Sequence, residues 1–124
     1  CRPCDERELI ISFCTSDFVV VGSMTEVTLD SQQDKTRIGV EVDQLIRQKL
    51  TNQKSPPSIR SNSLLYGHIF APNHCGIQHG AGTFLFTGKM RLGEPNLRCA
   101  PFYENWRRVL EAAVKDGTME CSYE

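Results

Sequence analysis

Three of the chain's six cysteines fall in its first fourteen positions: Cys1, Cys4 and Cys14. The other three, Cys75, Cys99 and Cys121, are spread through its second half. A crowded start answered by three distant partners predicts long covalent loops that pin one end of the chain to its middle and tail. In a chain of 124 residues, 40% of them hydrophobic, such cross-links supplement a core of modest size. In the chain-entropy model a closed loop of more than about sixty residues is worth roughly 4 kcal/mol. Six cysteines allow about fifteen pairings, and spacing alone selects none of them.

The even count points to an oxidising compartment. Cys1 and Cys4 form a C-x-x-C, but a zinc site needs a second pair or a Cys/His group at similar spacing, and the sequence supplies neither. A thioredoxin-like motif follows a strand, whereas this one opens the chain. Net charge is −1, which argues against a general binder of nucleic acid or of membrane surfaces. No apolar run is long enough to span a bilayer. With no signal peptide in view, the chain reads as a mature or trimmed secreted product. It has no N-x-S/T sequon, Asn73-His74-Cys75 being at best the rare N-x-C variant, so no N-glycan is expected. Length, with no repeat or low-complexity tract, fits a single domain over residues 1–124.

Asp5, with Glu8 three residues on, resembles a capping box and predicts a short N-terminal helix. From Phe13 to Leu29 the chain turns strand-like: Phe18 to Val21 favour strands, Gly22 marks a bend, and Val27 and Leu29 alternate with polar neighbours. Asp30 to Lys35 is turn-like. Ile38, Val40 and Val42 alternate with Gly39, Glu41 and Asp43, as in a strand with one wet face. Leu50 to Ser63, with Pro56-Pro57 and several cations, is expected to be an exposed loop. Leu64 to Phe70 and Thr83 to Gly88 read as further strands, the second apolar on both faces and so central. Trp106, Val109, Leu110 and Ala113 share one helical face, predicting an amphipathic C-terminal helix between Pro101 and Gly117. Short strands separated by glycine, serine and asparagine turns favour an all-β barrel or sandwich.

No catalytic constellation emerges. The glycines of residues 76–82 precede a strand, whereas a phosphate cradle needs them before a helix, so they read as a turn beside a disulfide. His68, His74 and His79 read as ordinary loop histidines, with no carboxylate or free thiol placed to complete a metal site. A disulfide-bonded Cys75 has no thiolate to offer as a nucleophile. Asp17 or Ser16 is expected to bond nearby backbone where the first strand begins. Arg47, Lys49, Lys54 and Arg60 form a diffuse basic stretch that reads as a solvated loop. No cofactor or metal is expected.

Two stretches carry a specific resemblance: CRPCDERELIISFCTSDFVVVGSMTEVT at the start and CGIQHGAGTFLFTGKMRLGEPNLRCAPFYENWRRVLEAA from Cys75. Together they resemble the C-terminal domain of the meteorin and meteorin-like family, through CRPC, CTSDFV with a following glycine, CG with GxGxFLFxG, the GE…L.CAP run and the aromatic/Arg helix. The resemblance covers nearly the whole chain, more weakly between Asp30 and Asn73, and leaves out the CUB-like region of typical family members. It implies a netrin-like (NTR) domain: a mainly β, five-stranded OB-like barrel with a short N-terminal helix and an amphipathic C-terminal helix. The connectivity it implies is Cys1–Cys75, Cys4–Cys99 and Cys14–Cys121, three disulfides in all.

The same resemblance implies a secreted, extracellular, non-enzymatic signalling protein, cytokine- or neurotrophic-factor-like, acting through a cell-surface receptor or channel protein, with no nucleic-acid partner and no membrane insertion. Lys54 and Arg60 in the Leu50–Ser63 loop, and Arg91 and Glu94 in the Arg91–Asn96 stretch, are the expected partner-binding residues. Two other readings stay open. A stand-alone NTR effector, such as a venom neurotoxin, accounts for the missing CUB-like half. A metalloproteinase inhibitor would use the amine of Cys1. The C-x-x-C in place of C-x-C, and Arg2-Pro3 where a small side chain belongs, depart from that inhibitor pattern.

Overall fold

A computed structural model of the chain describes residues 3–48 and 65–123. Cys1, Lys54, Arg60 and the Leu50–Ser63 loop lie outside the described residues. Helix α1 spans Glu6–Thr15. The expected capping box is present: the Asp5 carboxylate accepts from the Glu8 N–H at 2.8 Å, and the Glu8 carboxylate accepts from the Asp5 N–H at 2.8 Å. The helix runs further than its sequence suggests. Phe13 is helical rather than strand, because Leu9, Ile10 and Phe13 make one buried face and the Phe13 ring stacks on Trp106 at 4.7 Å.

Five strands follow: β1 Phe18–Asp30, β2 Lys35–Gln48, β3 Leu65–Pro72, β4 Phe84–Arg91 and β5 Glu94–Cys99. A 3-10 turn, Asn73–Cys75, leaves β3, and helix α2 covers Tyr103–Asp116. The sheet closes into a ring in the order β1-β2-β3-β5-β4. All pairings are antiparallel except β3 with β5, which meet in parallel at Phe70 and Asn96. The ladder of β1 and β2 shifts register between Val21 and Gly22, at the bend expected there. Strand β5 carries Pro95 and few apolar residues, which is why its sequence does not announce a strand.

The ring explains the unbroken run Phe18-Val19-Val20-Val21. Phe18 and Val20 join Ile38, Val40, Ile69, Phe84 and Phe86 in a cluster drawn from four strands, the inside of the ring. Val19 and Val21 point the other way and join Leu85 under Leu9, Ile10 and Phe13 of α1 and Trp106, Leu110 and Ala113 of α2. Thus the first five residues of β1 and of β4 are buried on both faces, and the central position expected for β4 follows from its pairing with β1 and β5.

Two disulfides lock the helices onto this frame. Cys4–Cys99 ties the segment before α1 to the end of β5 across 95 residues. Cys14–Cys121 ties the last turn of α1 to the tail beyond α2 across 107 residues. Cys75 is also disulfide-bonded, and Cys1, the partner implied for it, lies outside the described residues.

Candidate recognition surface

The C-terminal end of α1 gathers three cationic side chains. A helix C-terminus carries unsatisfied carbonyls and a partial negative charge, which cations stabilise. No basic residue occupies the last turn of α1 itself. Cations reach it from three strands instead. Arg47 of β2 donates to the carbonyls of Phe13 and Ser16, with its guanidinium over the Phe13 ring. Lys89 of β4 donates to the Thr15 carbonyl at 2.8 Å, and Arg98 of β5 donates to the Thr15 hydroxyl at 3.0 Å. Arg47 therefore does not sit in a solvated loop as its neighbours in sequence suggested; it closes a helix. Asp17, expected to bond nearby backbone, instead accepts from the N–H of Met90 on β4 at 2.8 Å.

Beneath this junction lies a buried chain of hydroxyls. Ser12 of α1 hydrogen-bonds Thr87 of β4 and Ser16, and the Thr87 hydroxyl accepts from the N–H of Cys99 at 3.3 Å. All three hydroxyl side chains are inaccessible to water. They link α1 to the middle of the ring beside the Cys4–Cys99 bridge, and their partners satisfy groups that burial would otherwise penalise.

The β4–β5 hairpin projects from the same end of the ring, since β1 begins opposite Gly88. Arg91 pairs with Glu94, leaving Leu92 and Gly93 as a two-residue loop with φ of 52° and 81°. Positive φ at both loop residues is the type I′ arrangement, which suits Asn-Gly or Asp-Gly and matches the twist of the strands. Leucine in this region costs roughly 1–2 kcal/mol. Leu92 nonetheless occupies it, with its side chain fully in solvent at 104% relative exposure. The base of the hairpin is fixed: the Lys35 ammonium of β2 donates to both Glu94 carboxylate oxygens at 2.9 Å and lies over the Phe70 ring.

Of the four expected partner-binding residues, then, Glu94 is engaged within the fold, while Arg91 is exposed and, among the described residues, has no carboxylate in ion-pair range. The sequence singles out residues 91–96 but not Leu92 itself, whose backbone conformation is set by the register of the hairpin. The histidines are dispersed: His68 meets the edge of Tyr66, and His79 contacts the Met24 carbonyl through Nε2 at 3.1 Å. Among the described residues no three His, Cys, Asp or Glu side chains gather as a metal site. The glycine-rich segment runs into β4, with Gly76 and Gly82 at positive φ, as a turn.

Residues 3–113, which hold α1, all five strands and most of α2, match the family model of the meteorin C-terminal domain. The chain belongs to the meteorin family. It is 41% identical over 121 residues to Meteorin-like protein of Xenopus laevis, covering 98% of this chain and 41% of that protein. Meteorin-like protein of Homo sapiens is 36% identical over 121 residues, covering 98% and 38%. Meteorin of Homo sapiens is 40% identical over 116 residues, covering 91% and 38%. The chain thus spans about two fifths of the length of these meteorin-family relatives. The hairpin, the hydroxyl chain and the Cys4–Cys99 bridge all fall within the family match, and Cys121 lies beyond it.

Proposed function

We propose that this chain is a C-terminal netrin-like domain, single over residues 1–124, of a secreted, non-enzymatic signalling protein of the meteorin kind, cytokine- or neurotrophic-factor-like, acting through a cell-surface receptor. The observation that carries this reading is the match of residues 3–113 to the meteorin C-terminal domain. The disulfides support secretion, because such bonds persist in oxidising compartments and are rare in the cytosol. No helix among the described residues is long and apolar enough to cross a membrane. The closed ring with its two flanking helices is the arrangement an OB-like, netrin-type barrel requires, with Cys1–Cys75 as the third staple. In such a molecule a rigid scaffold holds loops out for recognition. Arg91, with Lys54 and Arg60, belongs to the surface assigned to the partner. The inhibitor reading depends on Cys1, outside the described residues, and gains no support from the geometry.

The test is saturable binding of the labelled, fully oxidised chain to neurons and glia. The expected result is saturable binding that unlabelled chain displaces and that pretreating the cells with protease abolishes. Absence of saturable binding on every cell type would overturn the receptor reading.

A further inference from the structure

We infer that Leu92 is the anchor of this molecule's partner-binding surface, a knob that enters an apolar pocket with a carboxylate at its rim on a protein receptor. This rests on the receptor reading above and names the residue and the partner chemistry that serve it.

An exposed leucine alone needs no explanation, since folded proteins expose many apolar atoms. Leu92 differs because its backbone is also unfavourable. At φ 52° in a type I′ loop, asparagine, aspartate or glycine would hold the hairpin better and stay better solvated. The fold gains nothing from leucine here: the side chain is wholly in solvent. A side chain that costs the free protein on both counts is a candidate for contacts made outside it, and such strain concentrates at recognition sites. The hairpin is also preorganised. Lys35 clamps Glu94 at its base, Asp17 accepts from Met90 beside it, and Lys89 and Arg98 are held on the end of α1. A rigid presentation lowers the ordering cost of docking.

Charge selects the partner. Arg91 adjoins the knob and, among the described residues, forms no ion pair with a carboxylate, Glu94 being its backbone partner and bound by Lys35. Lys89 and Arg98 on the same two strands add positive charge, and Asp17, which accepts from the Met90 N–H, adds one negative charge. A chain of net charge −1 therefore presents a locally basic tip. A pocket with an acidic rim complements it. An anionic lipid surface would attract the same charges. One leucine, worth roughly tenfold to a hundredfold in transfer from water, is too small an anchor for a bilayer, where even a single acyl chain binds marginally. In a closed protein pocket the same gain is large enough for one contact to matter, since a few desolvated residues carry most of an interface's affinity.

The experiment compares the whole oxidised chain with Leu92→Asn, Arg91→Glu and a control, Leu29→Asn, which alters another exposed leucine on β1. Each is measured for thermal midpoint, for binding to intact and protease-treated cells, and for binding to phosphatidylserine vesicles. The expected result is a thermal midpoint for Leu92→Asn equal to or above that of the parent, with cell binding at least about tenfold weaker. Arg91→Glu is also weakened, and Leu29→Asn is unchanged. Parent-like cell binding by Leu92→Asn overturns the inference while leaving the receptor reading intact. Leucine-dependent binding that survives protease treatment, or that vesicles reproduce, overturns it in favour of a membrane. No saturable binding by the parent chain overturns both.

Discussion

Gly88 shows how tightly single positions are set. A methyl group there would lie 1.9 Å from the Asn96 carbonyl oxygen and 2.5 Å from the Phe18 ring, both inside the ring's own ladder. The register shift between Thr87 and Gly88 brings β5 this close. Gly88→Ala is expected to destabilise the chain by about 3 kcal/mol, the upper range of overpacking. Gly67 on β3 has open space where its Cβ would be, and Gly67→Ala is expected to stabilise by about 0.5 kcal/mol through the unfolded chain. Chemical denaturation of the two variants checks the contrast. Thr87 is a second such position. Thr87→Val removes the buried hydroxyl that both the Ser12 hydroxyl and the Cys99 N–H meet, a loss of about 1–3 kcal/mol, whereas Thr87→Ser keeps the hydroxyl and loses less. Sequence gives no hint of these hydroxyls, because serine and threonine ordinarily face water.

Among the elements, α1 illustrates stabilisation supplied from elsewhere in the chain. Its N-terminus is capped locally by Asp5 and Glu8, and that signature is plain in the sequence. Its C-terminus is closed by Arg47, Lys89 and Arg98, the nearest of them more than thirty residues from the carbonyl or hydroxyl it meets. Arg47→Ala is expected to cost about 1–2 kcal/mol, by loss of two charge-assisted hydrogen bonds and a favourable charge at the helix end. Arg47→Lys restores part of it. Denaturant midpoints at low and moderate salt check both, with the Arg47→Ala deficit shrinking only slightly in salt because the site is partly buried. The same division decides what could be read in advance. The capping box, β4 and the amphipathic stripe of α2 are local patterns, and the chain states them. β5 is held by register with β4 and by one parallel contact with β3, so its polar sequence with Pro95 reads as loop. The end of α1 was hidden for the opposite reason: Phe13 favours strands in isolation, and its stacking on Trp106 decides for helix. Leu92 was hidden because only the pairing of Arg91 with Glu94 makes it the first residue of a type I′ loop.

For the whole molecule, the closed ring and its long-range cross-links are one device. Closing the ring reduces the free sheet edge that could recruit other chains, but its strands are joined by contacts distant in sequence, which fold slowly. The bridges Cys4–Cys99 and Cys14–Cys121 fix both ends of the chain against the helical face. Replacing Cys14 and Cys121 together by serine is expected to cost about 4–5 kcal/mol, given a loop of 107 residues. Thermal unfolding of the double variant checks this, and the change is expected to act on the tail and the α1–α2 packing before the ring. Native-state hydrogen exchange separates the two, with protection falling first in α2.

The two helices are held to the ring by covalent ties from the head of the chain to its distant strand and tail, and disulfide mapping tests that directly. Proteolytic peptides of the native protein, analysed by mass spectrometry without reduction, are expected to show Cys4 linked to Cys99 and Cys14 linked to Cys121, each pair separating on reduction. Recovery of any of these four cysteines as a free thiol, or linked to a different partner, would contradict it.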